Sequence, residues 1–330
     1  MVLLLVGLLC SVPARAEPLR IGLLHTLSPA PLYIAMERGF FREEGLEASF
    51  RFFEAAQPIA AAAVSGDIDV GITALTGGFF SLAGRGTLKV IGGGLHEQKG
   101  YEGIAVVVSA KAYAGGLTSL SKLPGHSLGI TQFGSSFHYI AGRIAEAEGF
   151  DLKTVTLRPL QGIGNMIAAV RTGQVDATMA IASQARPIEA AGEGRVIAWA
   201  GDVAPYQLTA VFAPSGMVRD HAATLERFAR AYRRGVEVYR EAFLRLDAAG
   251  KPVVDEATRA AAADVAKYVF AGDPLAVAKI VEGVGYYDEG GRLDVRDVAA
   301  QMRWFVAQGL VKTEVDPAEV IDTRFLGALP

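Results

Sequence analysis

The sequence predicts a two-lobed α/β protein, and three observations predict it. Short apolar runs alternate with helix-length segments from Leu19 to Trp199, the pattern of parallel sheets with helices on both faces. The alternation is interrupted at Gly92 to Gly103 and again at Gly201 to Tyr206, which read as two crossings between lobes. Finally, Ala62-Ala63-Val64-Ser65-Gly66-Asp67-Ile68-Asp69-Val70 is echoed by Ala169-Val170-Arg171-Thr172-Gly173-Gln174-Val175-Asp176-Ala177, and Glu44-Gly45-Leu46 by Glu148-Gly149-Phe150. Each member of the echo reads as helix, glycine stop, then strand, so the two lobes should share one local architecture. The boundaries that follow are residues 17–97 and 207–330 for the first lobe and 98–206 for the second.

The elements follow in order. Leu19 to Leu24 is an apolar strand, and the loop His25 to Pro31 leads into a helix with Pro31 in its first turn, running through Tyr33, Ile34, Met36 and Phe40 towards Glu44. Leu46 to Phe53 is a strand, Gln57 to Ser65 an alanine-rich helix stopped by Gly66, and Ile68 to Thr73 a strand entering the loop Ala74 to Gly78. A helix to Arg85 and a strand Leu88 to Gly92 complete the first set. Ile104 to Ser109 opens the second set.

Ser127 to Ile130 is then a short strand, and Thr131 to Gly134 a loop. Ser135 and Ser136 offer N-cap oxygens to an amphipathic helix closed by Gly149. Such a helix start carries unpaired N–H groups and a partial positive charge, and so suits an anionic or strongly polar ligand group. Val155 to Leu160 is a strand, Gln161 to Asn165 a loop before a helix to Thr172, and Val175 to Ile181 a strand, with Val196 to Trp199 closing the set. Gln207 to Ala213 is a strand heading back. Beyond Pro214 the pattern is helical, from about His221 to Leu246, Glu256 to Val269, Pro274 to Val281 and Val295 to Gln308, a tail assigned to the first lobe. Asp69 and Asp176 read as short polar side chains tying down the helix-to-strand corners.

Composition narrows the function. With 330 residues, 51% hydrophobic and 20% charged, the chain can bury a sizeable core. Lys+Arg 32 against Asp+Glu 35 gives a net charge of −3 with no basic run, which argues against a nucleic-acid partner. Met1 to Ala16 has the form of a secretory signal: Val2 to Leu9 is apolar and Ala14-Arg15-Ala16 is a small-x-small cleavage site. Cleavage after Ala16 would give a periplasmic protein. It would also remove Cys10, the sole cysteine, whose lipid anchoring is disfavoured because Leu9 stands where a small residue is needed. Thiol catalysis and disulfides are thereby excluded from the mature chain.

Catalytic motifs are weak. Gly162-Ile163-Gly164-Asn165-Met166-Ile167 begins like a dinucleotide fingerprint, but Ile167 replaces the third glycine. Gly134-Ser135-Ser136-Phe137 has the wrong spacing for a nucleophile elbow. His25, His96, His126, His138 and His221 make no close pair of metal-ligand spacing, and no carboxylate pair occupies a strand-end loop. Of the histidines, only His25 sits in such a loop. Neither a cofactor nor a metal is expected.

Pro29-Ala30-Pro31-Leu32-Tyr33-Ile34-Ala35-Met36-Glu37-Arg38-Gly39-Phe40-Phe41-Arg42-Glu43-Glu44-Gly45-Leu46 resembles the first-helix signature of the NMT1/THI5-like extracytoplasmic solute-binding proteins, and Ser65 to Gly71 and Thr172 to Ala177 resemble two further family motifs. The resemblance covers roughly Leu19 to Ala213. It implies a type II periplasmic-binding fold whose two lobes, joined by two crossings, hinge shut on one ligand. It also implies a partner, the membrane permease of an ABC importer for compounds such as nitrate, taurine, aliphatic sulfonates or thiamine-precursor pyrimidines, and a monomeric binding protein. Carried over by position, the site falls on His25, Thr26 and Ser28, on Thr73 and Thr76, on Gln132, Phe133, Ser135 and Ser136, and on Asn165, with Tyr101, Glu102 and Tyr206 from the crossings. Ser135 and Ser136 would take the ligand's polar end, Thr73, Thr76, His25, Gln132 and Asn165 would orient it, and Phe133, Phe137 or Tyr101 would cover an apolar body. No lysine or arginine falls in the four strand-end loops, which suits a sulfonate or carboxylate on an apolar body. Glu102, facing the cleft, would favour an amine such as taurine or an aminopyrimidine. The alternatives are a pyrimidine-precursor binding protein, an enzyme of the pyrimidine-phosphate synthase type on the same scaffold, and a sensor.

Overall fold

In the computed structural model, which describes residues 16–248, 252–312 and 315–330, the chain winds two five-stranded sheets one after the other. The segment read as a secretory signal, Cys10 included, lies outside the described residues apart from Ala16. The first sheet begins with β1 (Glu17–Leu24), β2 (Leu46–Phe53), β3 (Val70–Ala74) and β4 (Leu88–Gly93), separated by α1 (Ala30–Glu37), α2 (Phe40–Glu43), α3 (Ala56–Val64) and α4 (Gly77–Ala83). The chain crosses through β5 (Leu95–Glu97) into β6 (Ile104–Ser109), β7 (Ser127–Ile130), β8 (Thr156–Pro159), β9 (Ala177–Ile181) and β10 (Gly194–Trp199). Their connecting helices are α5 (Ala110–Ala114), α6 (Ser136–Glu148), α7 (Ile163–Arg171), α8 (Ala182–Ala190) and α9 (Ala200–Val203). It returns through β11 (Tyr206–Gln207) to β12 (Thr209–Pro214), in the first sheet. The tail supplies α10 (Ser215–Asp220), α11 (Ala222–Phe243), α12 (Glu256–Val269), α13 (Ala276–Gly283), β13 (Tyr286–Tyr287), α14 (Val295–Ala307) and α15 (Pro317–Val320).

Strand orders are β2-β1-β3-β12-β4 and β10-β6-β9-β7-β8. The expectation of all-parallel sheets is corrected at two strands. β12 runs antiparallel to β3 and β4, and β6 antiparallel to β9 and β10. Both strands enter their sheet from the hinge, so they run opposite to the strands whose C-terminal ends face the other lobe. One predicted helix is also split: Gly39 takes a left-handed φ of 74°, which breaks the run to Glu44 into α1 and α2.

The internal echo has a shared mechanical basis. Asp69, entering β3, accepts the backbone N–H of Arg20 in β1 at 2.8 Å, and Asp176, entering β9, accepts that of Ser127 in β7 at 2.8 Å. The sequence separation is 49 residues in both pairs. Each aspartate therefore pins the start of one parallel pair, β1 with β3 and β7 with β9, as its corner position implied.

The tail packs on the first lobe because α11 carries Leu225, Phe228, Tyr232, Val236, Tyr239 and Phe243 along one buried face. Burying side chains of this size is worth about 1.5–3 kcal/mol each as an upper figure. The tail also reaches beyond that lobe. α13 lies against α8, and Trp304 of α14 packs edge-on against His138 and Tyr139 of α6, with ring centroids 5.2 and 5.4 Å apart. Its two-residue strand β13 joins β5 and β11 in a three-stranded sheet, order β11-β5-β13, so the hinge has three antiparallel strands.

Candidate functional site

Between the two sheets lies a small cavity of about 60 Å³, placed where strand ends of the two lobes face each other. Water needs roughly 10–15 Å³ of such space, so in this form the cavity takes a ligand's polar head, and a longer apolar body needs the mouth to part. Its apolar wall includes Leu24, Ile104, Phe137, Ile163, Ile181 and Leu208. Its polar wall is Thr26, Ser28, Gln57, Thr76, Thr131, Gln132, Ser135, Ser136 and Thr209, and among the described residues no charged side chain lines it.

Helix starts converge here. Ser135 caps α6 through an Oγ that accepts the His138 N–H at 3.3 Å, and Thr76 caps α4 through an Oγ1 that accepts the Phe79 N–H at 3.0 Å. α3 and α7 begin at Ala55–Gln57 and Gly162–Ile163 with no side-chain cap. Their first N–H groups have no intrahelical acceptor, which leaves them for a ligand or solvent. Gln161, just before α7, is the only non-glycine residue with positive φ (69°) among the described residues, and its N–H donates to the Thr131 carbonyl at 2.8 Å. Strain of this kind gathers where a backbone is held for a purpose.

The mouth is shut by the protein itself. Gln132 of the second lobe donates through Nε2 to Gln57 Oε1 of the first, and the Gly77 N–H donates to the Gly134 carbonyl at 2.9 Å. Gly134 is held in turn by His138, whose Nδ1 accepts the Gly134 N–H at 3.1 Å. Burial lowers the pKa of His138, which keeps the ring neutral with its proton on Nε2, the tautomer this contact requires.

The structure brings Thr26, Ser28, Thr76, Gln132, Ser135 and Ser136 together on this cavity. The other expected residues stand elsewhere, and each departure has a cause. His25 donates from Nε2 to the Tyr268 carbonyl and packs on Phe52, 4.9 Å between centroids, so the tail occupies its ring. Thr73 is buried in β3 outside the cavity wall, and its hydroxyl has no hydrogen-bond partner among the described residues. Tyr101 packs on Tyr286 of the tail at 4.9 Å, and Glu102 is ion-paired with Arg186, in a groove separate from the cavity. Phe133 is 54% exposed on the opposite side of the α6 start, edge-on to His138. Asn165 donates from Nδ2 to the Leu160 carbonyl at 2.8 Å and closes its own loop. Tyr206 is fully buried in the hinge against Tyr139. Three polar wall residues went unread in the sequence: Gln57, Thr131 and Thr209. The loop after Phe53 holds Gln57 and follows the same strand-end rule as the loops that were picked, so the signal was present.

Two similar α/β lobes joined by crossing strands, with a cavity between facing strand ends, define the periplasmic-binding-protein fold. The sequence matches the NMT1/THI5-like family over residues 27–242, and the chain belongs to that family. Solved structures of the same fold include the alkanesulfonate-binding protein SsuA from Xanthomonas axonopodis pv. citri bound to MOPS, with 19% identity, TM-score 0.71 and coverage of 94% of this chain and 99% of that one. Another is the ligand-binding component of an ABC-type import system from Staphylococcus aureus with zinc bound, with 13% identity, TM-score 0.70 and coverage of 94% and 98%. A third is the desulfurization enzyme DSZB, with 16% identity, TM-score 0.63 and coverage of 94% and 97%. No curated protein matches the sequence. Among the described residues no helix is long and apolar enough to cross a membrane.

Proposed function

We propose that this protein is the solute-binding component of an ABC importer, exported to the periplasm, and that it captures a sulfonate or carboxylate carried on an apolar body. It closes its lobes over the ligand and delivers it to a membrane permease as a monomer. One observation carries the reading: a cavity walled by both lobes, without a charged side chain, onto which uncapped helix starts open. Fixed backbone dipoles of this kind hold an anion without a cation. Ligand contacts made to both lobes at once favour the shut form over the open one.

The same wall argues against an amine. Glu102, the acid that would have met one, is engaged with Arg186 outside the cavity, and an ammonium sealed among neutral groups would lose its hydration without a counter-charge. Taurine is therefore a poorer ligand than an alkanesulfonate of similar length. The enzyme reading finds little support: the described residues contain no cysteine, and the cavity wall holds no general acid or base.

Thermal unfolding with 1-hexanesulfonate, taurine, benzoate and a hydroxymethylpyrimidine tests the ligand class. Hexanesulfonate or benzoate should raise the melting temperature, since a ligand at a hundredfold its Kd stabilises by about 2.7 kcal/mol. If only taurine or the pyrimidine raised it, the anionic, amine-free class would be wrong.

A further inference from the structure

The three-stranded hinge sheet buries a carboxylate that ligand capture does not use. Glu97 ends β5, is 1% exposed, and accepts the N–H of Ile104, the first residue of β6, with both oxygens at 3.1 and 3.0 Å. Gly201, in α9 at the return crossing, also acts on it and helps to hold its pKa down. The neighbouring Gly103 makes this seat: a Cβ there would lie 2.3 Å from Glu97 Oε1. One carboxylate on the outgoing crossing is thus tied to the point where the second lobe begins and lies near the point where it ends.

Its surroundings hold few compensating charges. Opposite it in β11 is Tyr206, whose buried hydroxyl has no hydrogen-bond partner among the described residues. Behind Tyr206 stand Tyr139 and Arg143 of α6 and Asp297 of α14. On its own strand His96 bonds through Nδ1 to Asp288, which follows β13, at 2.8 Å. Neither lysine nor arginine is among the groups acting on Glu97 itself.

We propose that Glu97 is a proton-operated pin in the hinge, holding the lobes shut when protonated and releasing them when ionised. The inference rests on the reading that this cleft works by hinge closure, and it adds a regulator to the same site. Opening turns Ile104 and Gly201 relative to β5 and admits water to a carboxylate that is sealed in the shut form. Burial pushes Glu97 up to about 7 in the shut form, against the pull of Ile104, His96 and Gly201. In water the group returns to its ordinary 4.5. A carboxyl whose pKa is higher in the shut form binds its proton more tightly there, so closure is favoured at low pH and lost as pH rises through about 7. Those two values set a weakening of closure of about tenfold between about pH 6 and about pH 8. His96 faces the same solvent range: burial pulls it down, but Asp288, Asp294 and Asp297 raise it overall.

The test uses ligand-free full-length protein. Small-angle scattering should show the radius of gyration growing between about pH 6 and about pH 8 in wild type, with Glu97→Gln compact throughout. An unchanged transition in Glu97→Gln would assign it to His96 and overturn the pin, and so would the absence of any transition in wild type. Should the variant fail to fold, carboxyl carbon NMR of wild type decides: the Glu97 signal should titrate near 7, and a midpoint near the ordinary 4.5 would overturn the proposal. Neither readout contains ligand. Failure of hexanesulfonate to bind therefore counts against the sulfonate reading alone, and a normal Glu97 counts against the pin alone.

Discussion

Ser135 and Ser136 divide two jobs that a single serine could not do. Ser135 turns its hydroxyl back onto the His138 N–H, so it holds the helix start in shape, while Ser136 presents to the cavity. Ser135→Ala should therefore lower stability by about 1 kcal/mol, the usual loss for a removed cap, read from urea unfolding. Ser136→Ala should leave the unfolding midpoint nearly unchanged and weaken hexanesulfonate binding about tenfold, because it removes a hydroxyl that meets the ligand's anionic end. Equal affinity in calorimetry would remove Ser136 from the site. At this scale the sequence was readable where a residue's partner is local. The capping pattern around Ser135 lies within four residues, and it was found. The contacts of His25 and Glu102 were not readable, because their partners Tyr268 and Arg186 are distant in the chain and nothing in the local pattern names them.

Helix α6 serves as both wall and lever. Its first turn lines the cavity, and its flank meets Trp304 of α14, so the tail braces the element that grips the ligand. Trp304→Ala should cost about 3 kcal/mol by leaving a void against His138 and Tyr139, and it should also loosen binding. The Gln57–Gln132 contact acts between lobes. Gln57→Ala removes one of the two cross-cleft hydrogen bonds described at the mouth, so ligand should leave about five- to tenfold faster with little change in the association rate, measured by stopped-flow fluorescence. Strand and helix order was legible because period and glycine stops are local signals. Strand direction in β6 and β12 was not, since it depends on which side of the hinge the chain enters from. The two-residue β13 was also missed: a Tyr-Tyr pair has no period to detect, and its partner β5 lies far away in sequence.

For the molecule as a whole, stability and pH are coupled with two opposite signs. Asp176 is held low, because the hydrogen bonds from Ser127 and the nearby His126 outweigh its burial, so its contribution is lost as pH falls. Glu97 and Asp297 are both raised by burial, so their penalty grows as pH rises above the ordinary carboxylate range. Glu97→Gln should thus gain on wild type by about 2 kcal/mol between about pH 5 and about pH 8, read as the urea midpoint at each pH. A constant difference would mean that Glu97 keeps its ordinary acidity in the folded chain. The twofold plan of the molecule was visible in the sequence because the glycine-stop echo repeats with the corner aspartates Asp69 and Asp176. The bracing of both lobes by one tail was not, as α13 and α14 carry no mark of which lobe they will touch.

The uncharged cavity wall has one more consequence. Dissolved salt weakens attraction between exposed ions over a Debye length of about 8 Å at physiological strength, but it has little to screen in a cavity walled by uncharged apolar and polar groups. A receptor that traps its anion with a ring of arginines draws it in more slowly as brine thickens. This one, with no such ring, should scavenge equally well in dilute and in briny surroundings.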